Sequence, residues 1–598
     1  MKIRKRLVAG VSSAALAAVL LAGCSGGTQT TTATAAAAAV AVNATQSAAE
    51  VLAANKAVHT SGSTDTTNAV DIKLSGSTAT ASGDGVKIDG GTVTITAGGT
   101  YRISGTLTAG QIIVNAPDAT VTLVLDGAHI ASSSTAAIAA TEAEQLVIVL
   151  ADGSTNELSD ASSYADDADV NAALFSAGDL TITGAGALTV TGNGNDAITS
   201  KDGLLIASGT ITVTAKDDGI RGKDYVAVTG GTVKVTSGGD GLKADNADDA
   251  DAGYISMSGG TETVTAGGDG AEAASDLVLT GGTLNVTAGG GNTVAPTDDT
   301  STKGLKSGVI TVLEGGTATV ASADDAVHSD GAVRLNGVTL TAASGDDGVH
   351  AEGTLQIDAG TVKITNSNEG IESAHIVING GDVTVKSSDD GLNASGSSSD
   401  TAQQGGGPGG GGGESVGDFD ATITGGTLVI DAQGDGFDSN GIATITGGTI
   451  VVTGPTQRGN GALDVNGTFK ISGGVLVAAG SSGMVVAPDT DSAQGWLSAT
   501  LDSTVAAGTT VQVVDADGKV IATFVTAKEM QNLVYSSAKI TKGEQYTIYT
   551  GGSASGSNVG GLAESGTIGS GQKIATVTAG EAPAGGGGPG GGPGGGQR

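Results

Sequence analysis

Aromatic residues are scarce in this sequence, which has 598 residues but only one Trp, seven Tyr and five Phe. Aromatic side chains normally contribute much of the area buried in a globular core. So small a supply argues against several large globular cores, although the length alone would allow several domains. Many small cores of Val, Ile, Leu, Ala and Thr are more typical of an elongated repeat protein.

Basic residues are also few, since 27 Lys and Arg stand against 62 Asp and Glu and give a formal net charge of −35. A nucleic-acid partner needs a basic face on the protein, so this composition argues against nucleic acid. The acidic balance favours cations as partners, or anions that reach the protein through bound cations.

Cysteine occurs once, at Cys24, which excludes an internal disulfide. Four basic residues within the first six positions precede an apolar run at 7–21 that is too short for an ordinary membrane span and is typical of an export signal. The letters LAGC, ending at Cys24, resemble the lipobox of bacterial lipoproteins. A buried apolar cysteine is the alternative. We expect Cys24 to be lipidated and to anchor the protein to the membrane, outside the cytoplasm, at the bacterial cell surface.

Composition divides the chain into five predicted segments. Alternation of apolar and polar residues, as at Val93, Ile95, Tyr101 and Ile103, marks where half-buried strands begin. An Asp517-Gly518 pair between alternating strands indicates a hairpin near the C-terminus. The segments are a signal peptide and lipobox (1–24), a low-complexity tether (25–65), a parallel β-helix with irregular coils to about residue 180 (66–480), a C-terminal β domain (481–582) and a disordered Gly/Pro tail (583–598).

A repeat of about 22 residues dominates the chain after residue 180. The step from Asp196 to Asp218 recurs from Asp218 to Asp240, and it recurs again from Asp325 to Asp347. Each unit holds about three short strands and no helix-length pattern, so it cannot bury its apolar face alone. Stacked units predict an all-β, right-handed parallel β-helix, whereas β-propellers and β-sandwiches fit this phase less well. Three insertions interrupt the period and are expected in turns: 245–254, 291–304 and 395–418.

Acidic residues recur at one phase of this repeat. Equivalent positions of a parallel β-helix stack about 4.8 Å apart, where two like charges repel by about 1 kcal/mol in water and about 3–4 kcal/mol at an effective dielectric of 20. Turn chemistry explains each Asp-Gly singly, but Asn would do the same work without repulsion. Stacked carboxylates suit Ca²⁺, which is the predicted cofactor. The candidate ligands are Asp196, Asp217, Asp218, Asp240, Asp324, Asp325, Asp346, Asp347, Glu369, Glu372, Asp389 and Asp390.

Two histidines, His328 and His350, stack in the same way, and Glu372 and Asn393 follow in their row. Two imidazoles and a carboxylate can hold a transition metal. Surface side chains that hydrogen-bond across the coils are the alternative interpretation.

Seven stretches resemble a bacterial family of carbohydrate-binding domain-containing proteins, which are calcium-binding parallel β-helices similar to family 9 pectate lyases. The stretches are GTYRISGTL, VTLVLDGAHI, TNELSDASSY, NAALFSAGDLTITGAGALTVTGN, KDDGIRGKD, GGDGLKADN and NEGIES, and the resemblance spans about residues 66–550. The sequence NDAI at 195–198 departs from the Asp-Gly-Ile of the family. The resemblance implies binding of plant cell-wall polysaccharide, particularly acidic sugars, and calcium ligands at Asp217, Asp218, Asp240, Asp346, Asp347, Glu369, Glu372, Asp389 and Asp390.

Three functions remain open. The leading one is non-catalytic, calcium-dependent binding of an acidic, polygalacturonate-like polysaccharide, such as pectin or a cellulose-associated polymer; so few aromatics do not predict a platform for flat neutral glycans. A calcium-dependent pectate lyase would need a base for β-elimination, and the candidates are Arg221, Lys223 and Lys243, which could equally be counterions to the acids. The third function is that of a structural surface protein or adhesin.

Overall fold

The computed structural model describes residues 44–60, 66–165, 168–295, 300–396 and 416–581. The predicted signal peptide, Cys24 and the Gly/Pro tail therefore lie outside the described residues. The first coils begin with two antiparallel pairs, β1 with β2 and β3 with β4, before parallel pairing takes over. Their strands are β1 (Val70–Gly76), β2 (Thr78–Ala81), β3 (Val86–Asp89), β4 (Thr92–Ile95), β5 (Gly99–Leu107), β6 (Gln111–Asn115), β7 (Thr120–Ala131), β8 (Ile138–Glu142), β9 (Gln145–Leu150) and β10 (Thr155–Ser159).

The central coils consist of short strands joined by tight turns. They are β11 (Ala172–Ser176), β12 (Asp179–Gly184), β13 (Ala187–Gly192), β14 (Asp196–Ser200), β15 (Gly203–Ile206), β16 (Thr210–Ala215), β17 (Ile220–Gly222), β18 (Tyr225–Val228), β19 (Thr232–Ser237), β20 (Leu242–Ala244), β21 (Tyr254–Met257), β22 (Thr261–Ala266), β23 (Ala271–Ala273), β24 (Asp276–Leu279), β25 (Thr283–Ala288), β26 (Leu305–Ser307), β27 (Ile310–Leu313), β28 (Thr317–Ser322) and β29 (Val327–Ser329).

Longer strands that turn corners follow, and then short strands return. They are β30 (Ala332–Ser344), β31 (Val349–Asn366), β32 (Ile371–Ile378), β33 (Asp382–Lys386), β34 (Leu392–Ala394), β35 (Asp420–Ile423), β36 (Thr427–Asp431), β37 (Phe437–Ser439), β38 (Ile442–Ile445), β39 (Thr449–Thr453), β40 (Leu463–Val465), β41 (Phe469–Ile471) and β42 (Val475–Gly480).

Every third strand pairs in parallel with its counterpart one coil away, which confirms the predicted β-helix. One face stacks β8, β11, β14, β17, β20, β23, β26 and β29, and the other two faces stack the strands that follow each of these. Hydrogen bonds between equivalent positions span 22 residues in regular coils. The three insertions lengthen their coils to 29, 34 and 45 residues without breaking the stack, as expected for additions to turns.

A continuous apolar core fills the β-helix because each strand alternates inward and outward residues. Val93 and Ile95 on β4 are fully buried, as their alternation predicts. Glu262 interrupts the core, since it pairs with Val233 and Leu284 on the neighbouring coils and is 0% exposed. At the turn before β19, Gly231 has φ 95° and a Cβ there would meet a backbone oxygen at 2.9 Å, so Gly-Gly-Thr is required for close coil stacking.

A second β structure follows the last coil. β43 (Trp496–Val505) and β46 (Met530–Ser536) pair antiparallel, and β46 also pairs antiparallel with β42. A six-stranded sheet holds β44 (Thr510–Val514), β45 (Val520–Val525), β47 (Gln545–Thr550), β48 (Ser553–Val559), β49 (Leu562–Thr567) and β50 (Gln572–Thr578). The β44–β45 hairpin contains the predicted Asp517-Gly518 turn, where Gly518 has φ 79°. The small C-terminal β domain of the predicted fold is thus present, while its boundaries stay a prediction.

Residues 44–60, which we name the strap, contain the helix α1 (Ala48–Ala54). Ser47 and Glu50 form a capping box at its start, and Val51 packs on Val278 and Ile310 of the β-helix. This stretch lies inside the segment predicted to be a low-complexity tether, so that prediction is wrong for residues 44–60. Among the described residues, no helix is long and apolar enough to cross a membrane.

The strap runs along the β-helix from later coils to earlier ones. Its contacts begin at Arg334, whose guanidinium donates to the Gln46 carbonyl at 3.2 Å. They end with the His59 ring nitrogen, 2.7 Å from a carboxylate oxygen of Asp179. Between these ends, Asn55 donates to Asp276 at 2.6 Å, and Lys56 forms an ion pair with Asp224.

Candidate functional site

One row of equivalent residues runs along the turns that precede the first face, and we name it the turn row. It joins the predicted acids Asp196, Asp218 and Asp240 with those from Asp325 onward in one ladder. Sequence reasoning missed Asp269 and Asp435, because the insertions at 245–254 and 395–418 shift their spacing. The turn row consists of Asp196, Asp218, Asp240, Asp269, Lys303, Asp325, Asp347, Glu369, Asp390 and Asp435.

In most turn-row residues, one carboxylate oxygen accepts a hydrogen bond from the backbone N–H at the equivalent position of the next coil. Asp218 Oδ1 accepts from the backbone N–H of Asp240 at 2.9 Å, and Asp240 Oδ1 accepts from that of Asp269 at 2.8 Å. The same bond recurs from Asp325 to the N–H of Asp347 at 3.0 Å. Hydrogen bonds between coils therefore account for Oδ1, and an Asn oxygen would accept them as well.

A second row lies three residues further along, on the strands of the first face, and we name it the strand row. Its side chains face the Oδ2 atoms of the turn row. The strand row consists of Thr199, Arg221, Lys243, Glu272, Lys306, His328, His350, Glu372, Asn393, Asp438 and Asp464.

Protein cations neutralise the first half of the turn row. Lys243 Nζ lies 3.7 Å from Asp218 Oδ2, 2.5 Å from Asp240 Oδ2 and 3.0 Å from Glu272. In the same way Arg221 Nη1 lies 3.7 Å from Asp196 Oδ2. The carboxylate is needed in these coils because Oδ2 pairs with a cation, and Asn would present an N–H there instead. Protein cations therefore lie beside these acids, although burial still raises the pKa of Asp196 to about 6 and that of Asp240 to about 7.

The three candidate lyase bases occupy different settings. Burial would lower the pKa of Lys243, but its hydrogen bond to Asp240 and the nearby carboxylates raise that pKa above its usual range. Arg221 forms an ion pair with Asp245 in addition to its contact with Asp196. Lys223 is exposed in the turn before β18. Lys243 and Arg221 are thus held as protonated counterions, which does not suit a proton acceptor.

The second half of the two rows holds no lysine or arginine. From Asp347 onward, both rows contain only acids, one asparagine and His350. We name the acids beyond His350 the acidic half; they are Glu369, Glu372, Asp390, Asp435, Asp438 and Asp464.

Burial and mutual repulsion make the acidic half hard to ionise. Burial, then the charge of Asp435, raises the pKa of Asp390 to about 8. Burial, then Asp390 and Asp464, raises the pKa of Asp438 to about 9. The pKa of Glu369 rises to about 7 for the same reasons. A cation held here would reverse these shifts, because an adjacent positive charge favours the ionised form.

Four of the predicted calcium ligands lie one residue before the turn row: Asp217, Asp324, Asp346 and Asp389. Asn368 N donates to the Asp346 carbonyl at 2.7 Å, and Asp389 N donates to the Asn368 carbonyl at 2.9 Å, so these residues stack as expected. Asp324 and Asp346 are half-buried and, with Asp325, bring carboxylate oxygens within 4.8 Å of one another. Asp217 and Asp389 are exposed.

Histidines separate the two halves of the rows. His328 Nδ1 lies 2.7 Å from Asp325 Oδ2, and its Nε2 lies 3.0 Å from Asp330. His350 Nδ1 lies 3.5 Å from Asp325 Oδ2 and 3.4 Å from Asp347 Oδ2. The stacking of the two imidazoles, expected from the sequence, is an edge contact with ring centroids 4.9 Å apart.

The aromatic side chains give no exposed platform. The single Trp, the seven Tyr and the five Phe all fall within the described residues, and each is buried or half-buried. Tyr225 and Tyr254 do stack, with centroids 5.5 Å apart, but they are 3% and 1% exposed.

Comparison with known proteins relates most of the β-helix to one family. Residues 89–348 match the family model described as carbohydrate-binding domain-containing protein. A carbohydrate-binding domain-containing protein of Acetivibrio thermocellus is 38% identical over 117 residues, 19% of this chain and 41% of that relative, so the chain spans less than half of the relative's length. A solved polysaccharide lyase-like protein from C. thermocellum, in a gadolinium derivative, shares 34% identity with a TM-score of 0.37, over 37% of this chain and 92% of that one.

Proposed function

Since the chain belongs to the family of carbohydrate-binding domain-containing proteins, we propose that it binds acidic plant cell-wall polysaccharide, of the polygalacturonate class, through calcium and without catalysis. One observation carries this proposal: the acidic half stacks carboxylates on successive coils without any lysine or arginine from either row. The first half of the same rows, by contrast, is paired with protein cations.

The acidic half offers only carboxylates, a ligand type that suits calcium. Calcium takes six to eight oxygen ligands in flexible geometry, and Glu369, Asp390, Asp435, Asp438 and Asp464 offer carboxylate oxygens from both rows. When bound, calcium would supply positive charge that lowers the repulsion between these acids. We restrict the proposed calcium ligands to this half and the adjoining Asp346 and Asp389, because no lysine or arginine from either row lies on these coils.

The negative charge of the acidic half also determines which polysaccharide we propose as the ligand. A polyuronate carries a carboxylate on each sugar, and the acidic half would repel it unless calcium lay between the two. Calcium ions that the protein ligates incompletely can accept carboxylates of the polysaccharide in their open positions. Neutral flat glucans lack such groups, and every described aromatic ring that could stack on them is at least half-buried.

We further propose that the protein acts at the cell surface, held to the membrane by a lipid on Cys24. The support is in the sequence: a basic start, a short apolar run and the LAGC letters that end at the only cysteine. An anchored binder would retain polysaccharide next to the cell, because a polysaccharide that dissociates from one protein molecule rebinds to others at high local concentration.

The test is binding of the purified chain to immobilised polygalacturonate and to cellulose, each with calcium and with a chelator. We expect calcium-dependent binding to polygalacturonate that weakens as salt rises, and little binding to cellulose. The variant Asp390→Asn/Asp435→Asn/Asp438→Asn should lose this binding. The matched control Glu142→Gln/Glu144→Gln/Asp152→Asn removes three exposed acids from earlier coils and should bind normally.

Other outcomes would favour the alternatives. Equal binding to cellulose in chelator would contradict the calcium bridge. Steady growth of absorbance from unsaturated uronides would favour the pectate lyase, and absence of binding to every polysaccharide would favour a structural surface protein or adhesin.

A further inference from the structure

The cluster formed by Asp325, His328, His350 and Asp347 lies between the neutralised half and the acidic half, and the proposed calcium site does not use it. We propose that these four residues form a binding site for one zinc-class divalent metal ion, separate from calcium. All four side chains lie on two successive coils, at the turn row and the strand row.

The donor atoms form two groups that share His350. Asp325 Oδ2, His328 Nδ1 and His350 Nδ1 all lie within 4.8 Å of one another, and so do donor atoms of Asp347, His350 and Glu372. Tetrahedral zinc, with bonds of about 2.0–2.2 Å to nitrogen and oxygen, sets its ligand atoms roughly 3.3–3.5 Å apart. His350 Nδ1 lies 3.5 Å from Asp325 Oδ2 and 3.4 Å from Asp347 Oδ2, which matches two edges of that tetrahedron.

The distance between His328 and Asp325 has to increase when the metal ion binds. His328 Nδ1 is 2.7 Å from Asp325 Oδ2, a hydrogen-bond distance, so these two atoms must separate by a few tenths of an ångström. The opposite ring nitrogen of His328 faces Asp330 at 3.0 Å. A carboxylate on the far side of the imidazole is the usual partner of a metal-bound histidine, since it fixes the ring and the tautomer.

A second observation points to a missing cation in this cluster. Asp347 is 4% exposed, and its Oδ1 has no hydrogen-bond partner among the described residues. In the preceding coil, the equivalent oxygen of Asp325 accepts from the N–H of Asp347, so the pattern is interrupted at Asp347 and resumes at Asp390. A buried carboxylate oxygen without a partner is destabilising, and a metal bound to this carboxylate would lower that cost.

The donor set selects the metal. Calcium prefers an all-oxygen set, whereas imidazole suits zinc, copper, nickel and iron. Two imidazoles with two carboxylates therefore favour a zinc-class ion, and the acids without imidazole nearby remain for calcium. Lys303 Nζ lies 3.1 Å from Asp325 Oδ2 and competes with the ion, but it also has Asp324 at 2.8 Å as a second partner.

The test is calorimetric titration of the full chain with zinc chloride in excess calcium. We expect one zinc ion per chain, and Co²⁺ in its place should give the intense visible absorption of a four-coordinate site. His350→Gln should weaken zinc binding at least about 100-fold, since even outer partners of metal ligands contribute about 10–100-fold. His375→Gln is the matched control, because His375 pairs with Asp420 outside the cluster and its loss should change nothing.

A gain of affinity keeps the test independent of misfolding. Lys303→Gln removes the competing ammonium and should tighten zinc binding several-fold, which a damaged protein could not do. Absence of zinc binding by the wild-type chain, equal affinity in His350→Gln, or displacement of zinc by millimolar calcium would each overturn the proposal. None of these results bears on polygalacturonate binding, which is measured with the acidic-half variants.

Discussion

Lys303 and Asp325 occupy equivalent places in successive coils, and the ammonium of Lys303 lies 3.1 Å from Oδ2 of Asp325. Lys303 is the one basic residue in the turn row, and the other members of that row are acids. Both side chains are largely buried, at 16% and 3% exposure. The ladder therefore carries its own counterion between Asp269 and Asp325.

Removal of that counterion should destabilise the protein. We expect Lys303→Gln to lower the free energy of unfolding by about 3 kcal/mol in chelator, because Asp324 and Asp325 lose a largely buried cation. Denaturant unfolding followed by circular dichroism measures the change. Lys216→Gln, at an exposed lysine before the turn row, is the control, and an equal loss in that variant would contradict the role of Lys303.

Calcium should raise Tm. A cation that binds only the folded state adds about 2.7 kcal/mol for each independent site when its concentration is 100 times Kd. Differential scanning calorimetry with calcium, with chelator and with magnesium checks this prediction. Magnesium should restore Tm poorly because it needs tighter octahedral geometry. Identical curves with and without chelator would mean that the acidic half binds no calcium.

Without calcium, stability should fall between about pH 5 and pH 8. An unfolded carboxyl has a pKa of about 4, whereas in the folded protein the pKa of Glu369 is about 7, that of Asp390 about 8 and that of Asp438 about 9. In this window the folded state binds more protons than the unfolded state, so the free energy of unfolding decreases as pH rises.

Other groups also bear on the sign of this pH effect, among them His328 and Glu272. Hydrogen bonds to Asp325 and Asp330 outweigh burial and raise the pKa of His328 to about 8, so its stabilisation is also lost as pH rises through 8. Lys306 and Asp240 outweigh burial and lower the pKa of Glu272 to about 2, which acts in the opposite sense but only below about pH 4.5. Tm measured against pH in chelator and in calcium checks the prediction, and a rise of Tm from pH 5 to pH 8 in chelator would contradict it.

Glu262 should be replaceable with a gain in stability. It is fully buried, neither carboxyl oxygen has a hydrogen-bond partner among the described residues, and burial raises its pKa to about 8. Glu262→Leu should raise the free energy of unfolding by about 1–3 kcal/mol, since it removes an unpaired polar group from an aliphatic row. Glu262→Gln keeps an unpaired polar group and should gain little; an equal gain in both variants would point to charge alone.

The proposed anchor predicts that Cys24→Ser releases the protein from the membrane or stalls its maturation. Fractionation of cells followed by immunoblotting measures the outcome. The variant Ser25→Ala is the control, and it should leave the protein in the membrane fraction. Membrane association that persists unchanged in Cys24→Ser would refute lipidation at this residue.

Much of the fold could be predicted because the 22-residue spacing from Asp196 to Asp218, repeated from Asp218 to Asp240, reports directly the length of one coil. Asp269 and Asp435 were missed because insertions of variable length change that spacing, although each lies in the same Gly-Asp-Gly context as Asp240. Lys303 lies in no such Gly-Asp-Gly context, so the sequence did not indicate that it belongs to the turn row. Helix α1 was also missed, even though Ser47 and Glu50 carry the spacing of a capping box.

The positions of the acids alone could not predict that one half of the two rows is paired with lysine and arginine while the other half is not. This difference depends on which side chains the strand row places against Oδ2, three residues later in each coil. Lys243 and His350 stand at equivalent places there, but one neutralises the carboxylates and the other leaves room for a metal. Sequence spacing shows that these residues stack, whereas the direction of each side chain is set by packing between coils.

The strap determines where the β-helix would receive mechanical force. A pull on the chain before residue 44 reaches the β-helix through contacts from Arg334 to Asp179, six strand spacings or roughly 29 Å along the axis. These contacts share the force as a shear across many coils, so they must yield together and not one at a time. The first coils, β1 to β10, would therefore bear less of this force than they would if a free linker joined them directly to the N-terminus.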